Sequence, residues 1–396
     1  MPRQLTPVVL AQLEVLEALD RLAAAIEGAG DALLPVAPDN PRGAAALDPR
    51  TPLREGEDDE SDPTALVVAT SGSTGEPKGA LLPASALRAS ATATHDRLGG
   101  PGTWLLALAP HHVAGVQVLL RSLAAGTRPE VLPLDGGFDV DAFSAAARAL
   151  ERRATSRRYT ALVPTQLVRL LEAGGEPTRA LAAFDGVLLG GAAVAPAVLR
   201  RATEAGVRVV TTYGMSETCG GCVYDGVPLD GVTVQLDDGR PRIRIGGPVV
   251  ARGYRLRPGA EPFDTRDGTR WFTTNDLGSL DHGRLTVVGR ADDVIITGGE
   301  NVAPQQVEAV VSELPGVREC LVVGVPDVRW GQRVVVLVVP NGSASVARDG
   351  VRTAVKSALG SASAPQDLLL VEAIPATTVG KPDRRAATAL AARMIS

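Results

Sequence analysis

The densest chemistry in the chain lies in ten residues, Thr70-Ser71-Gly72-Ser73-Thr74-Gly75-Glu76-Pro77-Lys78-Gly79. They carry four hydroxyls, three glycines and one lysine. Glycines let successive backbone N–H groups turn toward one point and form an anion-binding nest. Hydroxyls add donors, and Lys78 adds a point charge. A polyphosphate needs such a lining, so the segment points to a nucleotide enzyme. The spacing does not fit G-x-x-x-x-G-K-S/T, because Pro77 precedes Lys78. A flexible Ser/Gly linker is the bland alternative. The apolar run Ala65-Leu66-Val67-Val68-Ala69 and the rigid Pro77-Lys78-Gly79 argue against it.

Four further segments suit the same chemistry. Gly190, Gly191 and Ala192 end the apolar run Leu188-Leu189 with small residues that let a flat base approach the backbone; packing glycines are the competing reading. In Tyr213-Gly214-Met215-Ser216-Glu217, the ring of Tyr213 can stack on a base and Ser216 can bond a phosphate. Glu217 offers a hard oxygen for Mg²⁺, or a surface ion pair. Asp276 ends Trp271-Phe272-Thr273-Thr274-Asn275-Asp276, and a carboxylate there can accept both ribose hydroxyls. Gly380-Lys381 closes the set. Lysine occurs only at positions 78, 356 and 381, while arginine supplies most of the cationic surface, so two of three lysines fall in glycine loops. Cys219 and Cys222 form a C-x-x-C pair, but too few partners remain for a zinc site, and two incidental buried thiols are expected over a redox pair.

Strands and helices must hold these groups. Residues 8 to 28 read as an amphipathic helix, and 30 to 63 as irregular. From 65 onward short apolar runs (104 to 109, 159 to 163, 186 to 189, 207 to 211) alternate with helical patterns (142 to 152, 166 to 173, 195 to 204), which implies an α/β architecture with largely parallel sheet. Near 230 the texture turns to short alternating strands with turns at Asp237-Asp238-Gly239 and Asp281-His282-Gly283. Beyond Asp292 come a helix over 304 to 313, strands near 317 to 325 and 332 to 339, a helix near 349 to 359 and a polar tail. The expected fold is therefore α/β: a large N-terminal domain (1–290) with parallel sheets flanked by helices and a β-rich subdomain, then a small mobile α+β domain (291–396). The 396 residues carry a net charge of −5 with no basic block, which argues against nucleic acid as a partner. No run of about 18 uninterrupted apolar residues suggests a membrane span. The N-terminus lacks a signal-peptide pattern, and three cysteines suit a reducing cytoplasm.

Taken together and in order, the loop 70–79, Tyr213 to Glu217, Gly247-Pro248-Val249 to Gly253-Tyr254, Asp276, Gly289 to Asp293, Gly298-Gly299-Glu300-Asn301 and Gly380-Lys381 resemble the motifs of the adenylate-forming superfamily. That superfamily includes acyl- and aryl-CoA ligases, luciferases and peptide-synthetase adenylation domains. Within it, His111-His112-Val113-Ala114-Gly115, Gly214 to Cys219 and the short N-terminal region are most similar to the o-succinylbenzoate–CoA ligases of menaquinone biosynthesis. The same residues leave open two alternatives, another aryl- or acyl-CoA synthetase and a stand-alone adenylation enzyme that loads a carrier protein.

The resemblance implies ATP, Mg²⁺ and coenzyme A, and a small carboxylic acid as substrate. It implies that Thr70, Ser71, Gly72, Ser73, Thr74, Gly75 and Lys78 hold phosphates, and that Glu217 holds the metal. Gly190, Gly191 and Tyr213 would bracket adenine, with Ala192 and Gly214 also in the nucleotide site and Ser216 toward phosphate; Asp276 and Arg290 would hold ribose. Lys381 would bridge the attacking carboxylate and the α-phosphate, and His112 would sit at the acyl pocket, unless it is only a helix-start histidine. Asp292 matches the hinge, whose rotation would bring Gly298, Gly299 and Glu300 to the CoA side. A homodimer is a further expectation. One departure stands in the ribose motif: the family's Thr-Gly-Asp is Thr274-Asn275-Asp276 here, and asparagine is expected to preserve a turn by tolerating positive φ.

Overall fold

The computed structural model describes residues 3–10, 15–38, 40, 45–70, 78–134, 136–154, 156–237, 239, 241–257, 259, 261–342, 346–376 and 382–395. Four sheets organise them. In the first, Leu5–Val9, Ala32–Val36 and Thr64–Thr70 run parallel, and then Lys78–Pro83 and Gly253–Tyr254 continue it antiparallel. The second has seven strands in the order Val227–Pro228, Gly220–Tyr224, Val209–Met215, Gly186–Leu189, Arg157–Leu162, Gly102–Leu106, Glu130–Val131. Its last five are parallel, as helices alternating with strands require. Val113–Ala124, Val140–Arg153 and Pro164–Ala173 are among those helices.

The largest core lies between these sheets and their helices. Trp104 and Tyr159 are fully buried at its centre, with ring centroids 5.0 Å apart. A third, antiparallel sheet follows from 233: Thr233–Leu236, Arg242–Gly246, Thr269–Asp281 and Phe263–Arg266, with Arg284–Arg290 against the long strand. The hairpin at His282 and Gly283 has φ of 47° and 78°, the left-handed pair that a tight turn demands. The chain then passes through a 3₁₀ turn, Ala291–Asp293, into a small α+β domain. Its sheet contains Ile295–Thr297, Glu300–Val302, Val317–Asp327, Gly331–Pro340 and Asp367–Leu370, and its core is almost wholly valine.

Three expectations fail. Residues 8 to 28 do not form one helix: Leu5–Val9 is a strand, and helix covers only Leu19–Ile26. Nor is 30 to 63 irregular throughout, since Ala32–Val36 is a fully buried strand. The two segments pair in parallel, and that non-local contact overrides the leucine spacing. The tail is not merely polar, because Arg384–Ile395 is a helix that buries Ala387 and Ala391, four residues apart, against the small sheet. Among the described residues no helix is long and apolar enough to cross a membrane.

Candidate active site

The strands that flank the segment 71–77 pair antiparallel. Thr70 and Lys78 face each other across them; Ser71, Gly72, Ser73, Thr74 and Gly75 lie outside the described residues. Gly79 sets the base of the hairpin, because an added Cβ there would fall 2.8 Å from Val67 Cγ1 and 3.1 Å from Arg255 Cβ.

The Lys78 ammonium lies over the Tyr254 ring, 5.2 Å from its centroid, and the Tyr254 hydroxyl donates to Glu217 Oε1 at 2.7 Å. Burial, and then the charge of Glu217, push the Tyr254 hydroxyl's pKa up, so it stays a donor. Glu217 is itself buried in the 3₁₀ turn Ser216–Thr218, and its carbonyl accepts from Ala251 N at 2.8 Å. Behind the hairpin, Arg255 N donates to Gly79 O at 2.7 Å. The Arg255 guanidinium makes a wholly buried ion pair with Glu57 and also donates to Thr51 Oγ1 at 2.7 Å and Pro52 O at 3.1 Å.

A second cluster gathers around Asp276. The Tyr213 hydroxyl donates to Asp276 Oδ2 at 2.8 Å, and Arg290 Nη1 stands 3.6 Å from Oδ1. Asp276 and Arg290 are direct partners across neighbouring strands. Thr274 Oγ1 accepts from Asp276 N at 3.0 Å and fixes the backbone there. Burial, with Asp276 beside it, raises the Tyr213 pKa. Burial works against the Arg290 charge, but Asp276, Asp292 and Asp293 more than offset it and raise its pKa. Two glycines permit close approach: a Cβ at Gly190 would fall 2.3 Å from Thr212 Oγ1, and one at Gly214 would fall 2.0 Å from Gly220 O. Gly191 has φ of 86°, and Ala192 is exposed beside it.

Asn275 departs from its expectation. It lies in the extended strand Thr269–Asp281, not in a left-handed turn. Its amide oxygen accepts from Arg242 Nη2 at 2.8 Å, and its nitrogen donates to Asp292 Oδ2 at 3.0 Å.

His112 occupies the N-cap of helix Val113–Ala124 with extended backbone, is exposed, and has its ring 4.3 Å from that of His111. Gly298 and Gly299 form a hairpin tip in the small domain, where φ of 58° and 85° suits glycine, and Glu300 begins the returning strand opposite Thr297. Thus Thr70, Lys78, Tyr213, Ser216, Glu217, Asp276 and Arg290 belong to connected parts of the large domain, while residues 298–300 sit on the small sheet and Lys381 lies outside the described residues. Cys219 and Cys222 are fully buried; burial pushes Cys222 up to about 12 and Cys219 up as well, so neither supplies a ready thiolate.

A model of the AMP-binding enzyme family matches residues 7–257, and one of the AMP-binding enzyme C-terminal domain matches residues 306–381. The chain belongs to the AMP-binding enzyme family. It is similar to a probable 2-succinylbenzoate–CoA ligase of Mycobacterium tuberculosis, 50% identical over 338 residues, covering 84% of this chain and 86% of that protein. Among solved structures, it resembles the o-succinylbenzoate CoA synthetase of Bacillus subtilis in complex with its acyl-adenylate intermediate, with TM-score 0.72, 25% identity, and 97% and 87% of the two chains covered. It also resembles an amide bond synthetase from Marinactinospora thermotolerans, with TM-score 0.80, 25% identity, and 98% and 90% covered.

For this AMP-binding enzyme, sequence reasoning missed Arg242 and the part played by Tyr254. Tyr254 had a signal, as an aromatic ending the Gly253-Tyr254 motif. Arg242 had none, because its partner Asn275 is brought to it only by strand pairing. Among the described residues no group of three or more His, Cys, Asp or Glu forms a metal cluster. A buried carboxylate at Glu217 fits Mg²⁺, which takes one or two protein carboxylates and completes its shell with phosphate oxygens and water.

Proposed function

We propose that the chain is an AMP-forming 2-succinylbenzoate–CoA ligase. One observation supports nucleotide chemistry most directly: both clusters meet on the segment Tyr213 to Glu217. Tyr213 joins Asp276, and Glu217 joins Tyr254 and Lys78. They are four positions apart in sequence, at most about 14 Å of chain, a span that a nucleoside triphosphate bridges with ribose at one end and phosphates at the other. The 50% identity to a probable 2-succinylbenzoate–CoA ligase supports the choice of acid and of thiol.

In the first half-reaction, a substrate carboxylate oxygen bonds to the α-phosphorus of ATP, and the bond to pyrophosphate breaks. In the second, the CoA sulfur bonds to the acyl carbon, AMP leaves, and the thiol proton passes to solvent. Asp276 and Arg290 hold the ribose. Lys78 and the hydroxyl-rich loop 70–75 hold phosphate. Mg²⁺ at Glu217 would neutralise charge on the phosphates. Lys381 stabilises the charge that develops at the α-phosphate, and His112 lines the acyl side. Residues 1–290 and 291–396 act as two domains hinged near Asp292, with Gly298, Gly299 and Glu300 serving the CoA step. Three free cysteines suit a cytoplasmic setting.

Purified protein with Mg²⁺, ATP and 2-succinylbenzoate should exchange labelled pyrophosphate into ATP and, with CoA added, form the thioester seen by mass spectrometry. Benzoate and medium-chain acids serve as comparisons. Absence of exchange with every acid would overturn the reading. The likeness to an amide bond synthetase makes an amine acceptor the second reading, tested by replacing CoA with amines.

A further inference from the structure

Asn275 stands between three strands and the passage to the small domain. Its one acceptor faces Arg242, and its donors face Asp292 at 3.0 and 3.3 Å. The reversed amide would set NH₂ against a guanidinium and oxygen against a carboxylate, so the network fixes its orientation. Arg242 is held in turn by Thr274 O, 3.0 Å from its Nε. Asp292 then accepts from Arg290 Nη2 at 3.2 Å, and the same guanidinium stands 3.6 Å from Asp276. The result is an alternating series: Arg242, Asn275, Asp292, Arg290, Asp276, Tyr213. Glycine at position 275 would supply no side chain to join Arg242 to Asp292.

We propose that Asn275 is a positioning residue for ribose recognition: by holding Asp292 it sets Arg290 against Asp276, so that a guanidinium and a carboxylate are presented together to the nucleotide's hydroxyls. The inference rests on the reading of Asp276 and Arg290 as ribose contacts. Without the Asn275 amide, Asp292 is free to draw Arg290 away from Asp276.

The test measures ATP and 2′-deoxy-ATP binding by calorimetry, which needs no acid substrate, beside KM and kcat in pyrophosphate exchange. Asn275→Ala and Asn275→Gly should weaken ATP binding about 3- to 10-fold, raise KM for ATP with little change in KM for the acid, and reduce the preference for ATP over the deoxy analogue at least about 3-fold. Asn275→Asp, which sets two carboxylates together, should be worse. Adding Asp292→Asn to it restores one amide facing one carboxylate and should recover much of the loss. Unchanged nucleotide preference in the alanine variant, or a uniform fall in all parameters with melting temperature, overturns the inference while leaving the ribose reading intact. Failure of the unsubstituted protein to bind ATP at all overturns the reading and the inference with it.

Discussion

At the scale of single residues, the charge of Asp276 has the clearest consequence. It accepts from Tyr213 and faces Arg290. Asp276→Asn should lower kcat/KM for ATP by about 10- to 100-fold, as loss of a charge-assisted hydrogen bond does, with the fold intact by circular dichroism. A smaller change would remove Asp276 from the ribose site. His95 offers a pH test. It is buried, accepts from Trp104 Nε1 at 3.4 Å, and burial, then Arg121, lower its pKa to about 4 from 6.5. Between those values the unfolded chain binds a proton that the folded one refuses. Stability from this group is therefore full above pH 6.5 and is lost as pH falls toward 4, by about 3 kcal/mol at most. Urea unfolding of His95→Gln should show a flatter pH dependence over that window; equal slopes would contradict it.

At the scale of elements, the hairpin that carries the proposed phosphate-binding residues leans on a buried ion pair. Glu57 and Arg255 are both fully enclosed, and Glu57 also accepts from Arg54 N at 2.8 Å. Glu57→Gln leaves a buried guanidinium without its counter-charge and should cost about 3–5 kcal/mol in urea unfolding. A loss below about 1 kcal/mol would mean that the backbone acceptors around Arg255 suffice. Much at this scale was legible in the sequence. The run Gly186 to Leu189 is a strand as expected, and the helices near 142, 166 and 195 are present, because their periodicity is local. Leu5–Val9 was not legible, since its strand state comes from pairing with Ala32–Val36. The helix Arg384–Ile395 hid because its buried stripe is only two alanines.

At the scale of the whole molecule, the two halves of the reaction should separate. Lys381→Ala should lower adenylate formation by at least about 100-fold while sparing thioester formation from supplied acyl-adenylate. At ATP concentrations that saturate the weakened nucleotide site, Asp292→Pro should impair the thioester half more, because it stiffens the turn through which the chain enters the small domain. Equal losses in both halves would refute the division of labour. The proposed site residues could be named from the sequence as types in order along the chain. Their connections could not: Lys78 meets Glu217 through Tyr254, and Asp276 meets Asp292 through Arg290. Such links are products of tertiary assembly.

The strand Gly253–Tyr254 closes the first sheet beside Lys78–Pro83. During synthesis, then, the proposed phosphate-binding segment leaves the ribosome long before Tyr254, whose ring lies beside Lys78. A nascent chain that has not yet reached Tyr254 has an open sheet margin and lacks part of the proposed nucleotide site, so on that proposal ATP can reward folding only late in translation.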